Sequence, residues 1–196
     1  MTKFDELLKD VRLQLTDAQT HLDIHETILT TDAKDLKIHQ DILDMFIGFF
    51  GPTANAHGGM FIIKTWNAID PKGKACIREL VRMLKREPTL APSVDVTELD
   101  NRLGKLEKMH KKIKLVRNKR VAHHDPKARI EDIPIKACHD LLDELQAVYN
   151  VIHRGHDDEG SAWSFQIWEH RHTENLLAVL REWLSEKRNI TTRAAQ

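Results

Sequence analysis

The sequence predicts an all-α protein, an antiparallel helical bundle of about six to seven helices. Three observations predict it. Apolar residues recur mostly at three- and four-residue steps, the period of a helix face. No stretch reads as a convincing strand. Glycine (8) and proline (6) are scarce among 196 residues.

The length fits one domain, residues 1–196, in which an N-terminal helix over 3–29 and a C-terminal arm plus helix over 156–188 extend the bundle. A chain of this size buries roughly 70% of its unfolded surface, so a packed core suffices without disulfides. The two cysteines, Cys76 and Cys138, lie far apart and show no metal-ligand spacing. They read as small buried hydrophobes in a reducing compartment. The first residues, Met1-Thr2-Lys3-Phe4-Asp5-Glu6, are charged and lack the apolar core of a signal peptide. The most apolar run, Met45 to Phe50, is too short to span a membrane. The expectation is a soluble, cytoplasmic protein with no membrane association.

Taking the chain in order, helix one covers 3–29, with the stripe Phe4, Leu7/Leu8, Val11, Leu15, Ala18, Leu22, His25 and Leu29. Its alternating four- and three-residue steps suit long antiparallel packing. Thr30-Thr31-Asp32 offers caps for a second helix over about 32–50, with the stripe Leu36, His39, Leu43, Phe46/Ile47 and Phe50. Gly51-Pro52 is expected to stop that helix, and Gly58-Gly59 to break the segment over 54–70. Residues 61–69 form a short buried helix, and Asp70-Pro71-Lys72-Gly73 a turn. A helix over about 73–86 turns Ile77, Leu80/Val81 and Leu84 inward. Pro88 and Pro92 mark a loop.

The next helix is the best specified. Asp95 is its expected N-cap and Glu98 its N3 residue, while Val94 and Leu99 fit a hydrophobic staple. Its stripe runs Leu99, Leu103, Leu106, His110, Ile113 and Val116, and the next step falls on Arg117. Pro126 disfavours helix at Asp125, so the end falls near 120–124. Pro134 suits the start of a helix with the stripe Ile135, Cys138, Leu142, Leu145, Tyr149 and Ile152, and Gly155 is its expected stop. Trp163, Phe165, Ile167 and Trp168 punctuate an ordered arm over 156–172, which either covers the bundle's edge or serves as an interface. A final helix over about 173–188 carries Leu176/Leu177, Leu180 and Leu184, with a frayed tail to Gln196.

The candidate chemistry lies where the Asp95 helix ends. Arg117 continues an apolar stripe, and a partly covered guanidinium must be paired or bind an anion. His123 comes after five intervening residues. Cleavage of a phosphodiester needs a group that moves a proton near neutral pH and a cation that stabilises phosphate charge. Arg117 and His123 supply that minimum, and Asn118 is a candidate for orienting substrate. An ion pair of Arg117 with Asp125 is the structural alternative. Overall charge is balanced, 30 Lys plus Arg against 30 Asp plus Glu, which argues against general attraction to nucleic acid. The distribution is uneven: Arg102 to Arg129 holds eleven Lys/Arg against two acids, Glu107 and Asp125. Such a patch attracts phosphate, or is a solvated basic face. Lys114, Lys119, Arg120, His124 and Lys127 are the candidate phosphate-backbone contacts.

The string Arg-Asn-Lys-Arg-Val-Ala-His-His-Asp at 117–125 resembles the Arg-Asn-x-x-x-Ala-His-x-Asp form of the HEPN signature. The chain is more closely similar to the abortive-infection-type branch of that superfamily. The likeness extends to Thr65-Trp66-Asn67-Ala68-Ile69-Asp70 and the helix with Ile77, Leu80 and Leu84, and covers about residues 30–155. It implies a HEPN-like helical bundle, usually a homodimer with two motifs facing each other. It also implies a metal-independent endoribonuclease or a toxin-type effector, with RNA as substrate, no cofactor and a possible antitoxin or other protein partner. Carried over, His123 transfers protons, Arg117 stabilises the phosphorane-like charge and Asn118 assists positioning. Many HEPN proteins are instead non-catalytic protein- or RNA-binding modules.

The rival chemistry is metal. Among twelve histidines, His21 and His25 lie one helical turn apart and His39 falls on the next helix. Three imidazoles in a bundle suit zinc or nickel, whereas hydrogen-bonded core histidines are the plainer reading. His25-Glu26 lacks the second histidine of a zincin motif. His153/His156 and His170/His172 read as surface pairs. No glycine-rich phosphate loop, serine-nucleophile motif or Cys-x-x-Cys is present, so the site assignment carries no metal.

Overall fold

The computed structural model describes residues 2–122, 133–157, 162–165 and 170–194. Among the described residues there are eight α-helices and no strand. They are α1 (Lys3–Leu29), α2 (Leu36–Met45), α3 (Ile47–Ile69), α4 (Ile77–Arg86), α5 (Val96–Lys105), α6 (Glu107–Val116), α7 (Ile135–His156) and α8 (His170–Ala194). The fold is all-α. The count exceeds the expected six to seven because the helix from Asp95 divides at Leu106, a single turn residue (φ −80°, ψ −5°) between α5 and α6. No described helix is long and apolar enough to cross a membrane.

Contacts divide the chain into two compact units. One comprises Met1–Gln19 and Gly59–Gln166, the other Thr20–Gly58 and Ile167–Gln196.

In the first unit, α4 packs against α5 and α7, and α5 against α7. The cause is visible in the stripes. Ile77, Leu80, Val81 and Leu84 of α4 are buried, as are Leu99 and Leu103 of α5. So are Cys138, Leu141, Leu142, Leu145, Val148, Tyr149 and Ile152 of α7. Each set recurs at three- and four-residue steps, so each helix hides one face. Arg102 ties α5 to α7 through a forked pair with Glu144, at 2.6 and 3.1 Å. Asp95 caps α5 as expected, accepting from the backbone N–H groups of Thr97 and Glu98. Asp70 closes its turn by accepting from the Lys72 N–H at 3.0 Å. Both cysteines are free and buried. Burial pushes the Cys138 thiol up to about 11.

Gly155 is not the stop of α7, which runs on to His156. A Cβ there would lie 2.3 Å from Val94 Cγ2, so glycine is needed for close approach to the 91–94 loop. The 162–165 segment lies against the same helix. Asn150 exchanges two hydrogen bonds with the Trp163 backbone, Phe165 meets Tyr149 edge-on, and Arg12 sits over the Trp163 ring at 4.1 Å. Ile167 and Trp168 lie outside the described residues.

His156 is not a surface residue either. Its Nδ1 donates to the Leu90 carbonyl at 2.6 Å and its Nε2 to Asp5 at 2.8 Å, so both nitrogens donate when the ring is protonated. Burial is the largest single influence and opposes the charge. The bonds to Leu90 and Asp5 together outweigh it and raise the imidazole pKa. The Thr2 backbone N–H, and then His156, hold the Asp5 carboxyl down to about 2. A raised histidine stabilises below its unfolded value of about 6.5, and that contribution is lost as pH rises through the folded value. A depressed carboxyl stabilises above about 3.9 and loses its contribution as pH falls toward 2. The urea midpoint is therefore expected to fall between about pH 6 and 8 more in wild type than in His156→Gln. Equal declines in the two proteins would remove this pair from the account.

The second unit has its own core: Ile28, Ile42, Phe50, Ala54, Leu177 and Leu184, with Ile24, Ile38, Leu43, Phe46 and Leu180 around them. Several expectations change here. Gly51-Pro52 does not stop a helix, because the break falls earlier, at Phe46 (φ −116°, ψ 33°). Pro52 denies the Gly48 carbonyl its helical donor, but both residues are exposed, so water meets that carbonyl. The break also resets the buried face. Leu36 and Ile47 are exposed, and Ile42 takes the central place. On α1, Ile28 is buried and Leu29 exposed. Gly58 does not interrupt α3 but admits the His25 ring, whose Cε1 would lie 3.0 Å from an added Cβ. Helix α8 extends to Ala194 instead of fraying after 188. Arg188 on its last turns pairs with Asp41 of α2.

Candidate functional site at the end of the sixth helix

Helix α6 buries His110, Ile113 and Val116, the face its sequence predicts. The next residue, Arg117, caps it in helical geometry (φ −53°, ψ −50°). From there the chain widens into a π-helical turn, Arg117–Ala122. Such turns are uncommon and recur at functional sites. Widening the turn rotates the residues after Val116 off the straight continuation of the α6 stripe.

Arg117 is half-buried and lies over the Trp66 ring of α3, with Cζ 4.9 Å from the centroid. Lys114 approaches the same ring at 6.0 Å. His110 stacks on it, centroids 4.9 Å apart and planes 18° apart. Trp66 and His110 are both buried. The His110 imidazole is held toward its neutral form, chiefly by burial, with Arg78 and Lys114 opposing a further positive charge. Glu107 and Asp70 pull the other way. The Glu107 carboxylate bonds Arg78 at 3.2 Å and stays 3.8 Å from His110 Nδ1, beyond hydrogen-bond range. No carboxylate pairs with Arg117 among the described residues. A cation over an indole face gains about 0.5–2 kcal/mol. Anions are bound by the in-plane N–H groups of a guanidinium.

Of the other residues singled out in the sequence, Asn118 is half-buried in the π turn, and Lys114 and Lys119 are exposed. Arg120 is described in backbone only. His123, His124, Asp125 and Lys127 lie outside the described residues, so the Arg117–His123 distance and the alternative Arg117–Asp125 pair do too. Sequence reasoning missed the part played by Trp66 and His110. The available signal was a histidine on the apolar stripe about two turns before Arg117.

The histidines of the rival metal reading do not converge. The His25 ring bonds the Ala54 carbonyl at 2.8 Å and the His39 ring the Ile28 carbonyl at 2.9 Å. His21 pairs with His57 of α3, Nδ1 to Nδ1 at 2.8 Å, a partner that the sequence does not suggest. Among the described residues, no three His, Cys, Asp or Glu side chains are grouped to hold a metal ion.

The family model HEPN AbiU2 matches residues 1–177, and the chain belongs to this abortive-infection-associated HEPN family. The match includes the N-terminal helix, which the resemblance over 30–155 leaves out. Neither the curated proteins nor the solved structures contain a match.

Proposed function

We propose that the protein is a metal-independent endoribonuclease of phage defence or toxin type, acting through Arg117 and His123 across a homodimer interface. The observation that carries this reading is Arg117 itself. It is a half-buried guanidinium over Trp66, has no carboxylate partner among the described residues, and opens a π turn within the HEPN signature. A covered arginine with no carboxylate partner among the described residues is suited to take an anion, and RNA phosphate is the anion this signature implies.

His123 acts in proton transfer. The 2′-hydroxyl loses its proton as the 2′-oxygen attacks phosphorus. The bond from phosphorus to the 5′-oxygen breaks, and the leaving oxygen takes up a proton. Arg117 donates N–H groups to the phosphorane-like oxygens as charge builds there. Asn118 positions the phosphate, and Lys114, Lys119, Arg120, His124 and Lys127 hold the backbone. Products are a 5′-hydroxyl end and a 2′,3′-cyclic phosphate, which water can open to a 3′-phosphate.

Purified protein, shown to be dimeric, is incubated with varied RNAs in EDTA, and the new ends are typed. Cleavage with 5′-hydroxyl ends supports the reading. If intact dimer leaves the RNAs uncut but binds them or a protein partner, the chain is a non-catalytic HEPN module. RNA affinity is also expected to fall steeply between about 50 and 200 mM salt, as several basic contacts release counter-ions. A flat response would take the Arg102–Arg129 patch out of RNA binding.

A further inference from the structure

We propose that Trp66 is the positioning residue of the Arg117 site, with His110 as the wedge that holds the indole in place. The proposal rests on the ribonuclease reading above, because positioning has meaning only for a group that acts.

Trp66 is 7% exposed, which leaves no face for stacking a nucleobase. Its surroundings are instead Arg117 at 4.9 Å, Lys114 at 6.0 Å and the stacked ring of His110 at 4.9 Å. His110 is 6% exposed, and neither of its ring nitrogens has a hydrogen-bond partner among the described residues. Stacked on the indole, the buried His110 ring acts here as an aromatic plate. It fills space against the indole and, while neutral, adds no repulsion to the two cations beside it.

Arginine is rotamer-rich, and a free side chain at a turn would sample many placements. Seated over a fixed indole, its guanidinium is held before substrate arrives. Pre-orientation of this kind acts on the transition state more than on substrate binding, and small misplacements reduce rate strongly. Trp66 is buried beneath Arg117, so its influence passes through the arginine.

The test uses the full-length chain carrying Trp66→Leu, which removes the indole, and Trp66→Phe, which keeps a smaller aromatic face. The first readout is the Arg117 Nε–Hε signal in NMR spectra, assigned by its loss in Arg117→Lys. An indole this close shifts it from the position of an ordinary arginine, and the shift should vanish in Trp66→Leu and shrink in Trp66→Phe. The second readout is cleavage of a single-stranded RNA oligonucleotide in EDTA. Trp66→Leu should lower kcat by roughly tenfold to a hundredfold with a smaller change in KM, while Trp66→Phe retains most activity. If Trp66→Leu fails to fold, Trp66→Phe decides, since its loss of kcat must follow its loss of shift.

An unshifted Arg117 signal in wild type overturns the proposal whatever the activity. So does a folded Trp66→Leu that loses the shift and cleaves like wild type; the ribonuclease reading then stands and the contact is packing alone. If wild type keeps the shift but cuts no RNA, the ribonuclease reading has failed and the positioning role falls with it, although the contact itself is established.

Discussion

Alanine in place of His123 or Arg117 is expected to abolish RNA cleavage measured in EDTA, with the fold retained. Loss of a positioned proton-transfer group lowers rate by about 10²–10⁴-fold, and loss of a transition-state donor by about 10²–10³-fold. The double variant should be little worse than the poorer single variant, because the two groups act on one transition state. Stability separates the sites. Arg117→Ala gives up a contact over Trp66 worth roughly 0.5–1 kcal/mol, or about 1–4 °C in a chain of this size. That is far too little to unfold the protein. Both variants cleaving at the wild-type rate would assign the nuclease to a contaminant and sink the catalytic reading. A loss of activity that tracks unfolding would leave Arg117 as scaffold.

A pair of glycine substitutions should move stability in opposite directions. Gly155→Ala places a Cβ 2.3 Å from Val94 Cγ2, with Ser93 Oγ at 3.1 Å and Ala91 Cβ at 3.4 Å. Valine branches next to its backbone and has little freedom to move aside, so the loop or α7 must shift, at about 1–3 kcal/mol. Gly104, inside α5, is exposed and has nothing within 4 Å of an added Cβ. Gly104→Ala should stabilise by up to about 1 kcal/mol, the helix-propensity difference. Urea unfolding of the two variants beside wild type checks both. A neutral Gly155→Ala would show that the 91–94 loop yields freely.

The contrast between these glycines shows how far sequence carries. Both sit in apolar-periodic stretches. Gly104 reads as tolerated within a helix and Gly155 as a stop. The first judgement needs only the chain itself. The second depends on what lies across from Gly155, and Val94 is sixty-one residues away in the sequence. The misplaced break at Gly51-Pro52 has a related cause. Proline inside a helix strands a carbonyl one turn back and crowds it, a cost that depends on surroundings, and the exposure of Gly48 is a tertiary fact.

His156 makes the same point for charge. Beside Gly155 at a helix end it reads as solvated. In the folded chain, Leu90 and Asp5 meet its two nitrogens. Neither partner is local, so no spacing rule reveals them.

By itself the sequence determined the all-α class, the faces of α4 through α7, the Asp95 cap and the place of Arg117 one step beyond a buried stripe. Each is a local matter, decided by periodicity and capping within a few turns. It also carried the HEPN signature at 117–125, and with it the family. Only the tertiary structure decided that Arg117 rests on Trp66, that His110 backs that indole, and that the helix widens into a π turn at the arginine. Trp66 lies fifty-one residues before Arg117, and the periodicity of either helix is satisfied by any apolar partner. Which side chain meets the guanidinium is set by the packing of α3 against α6.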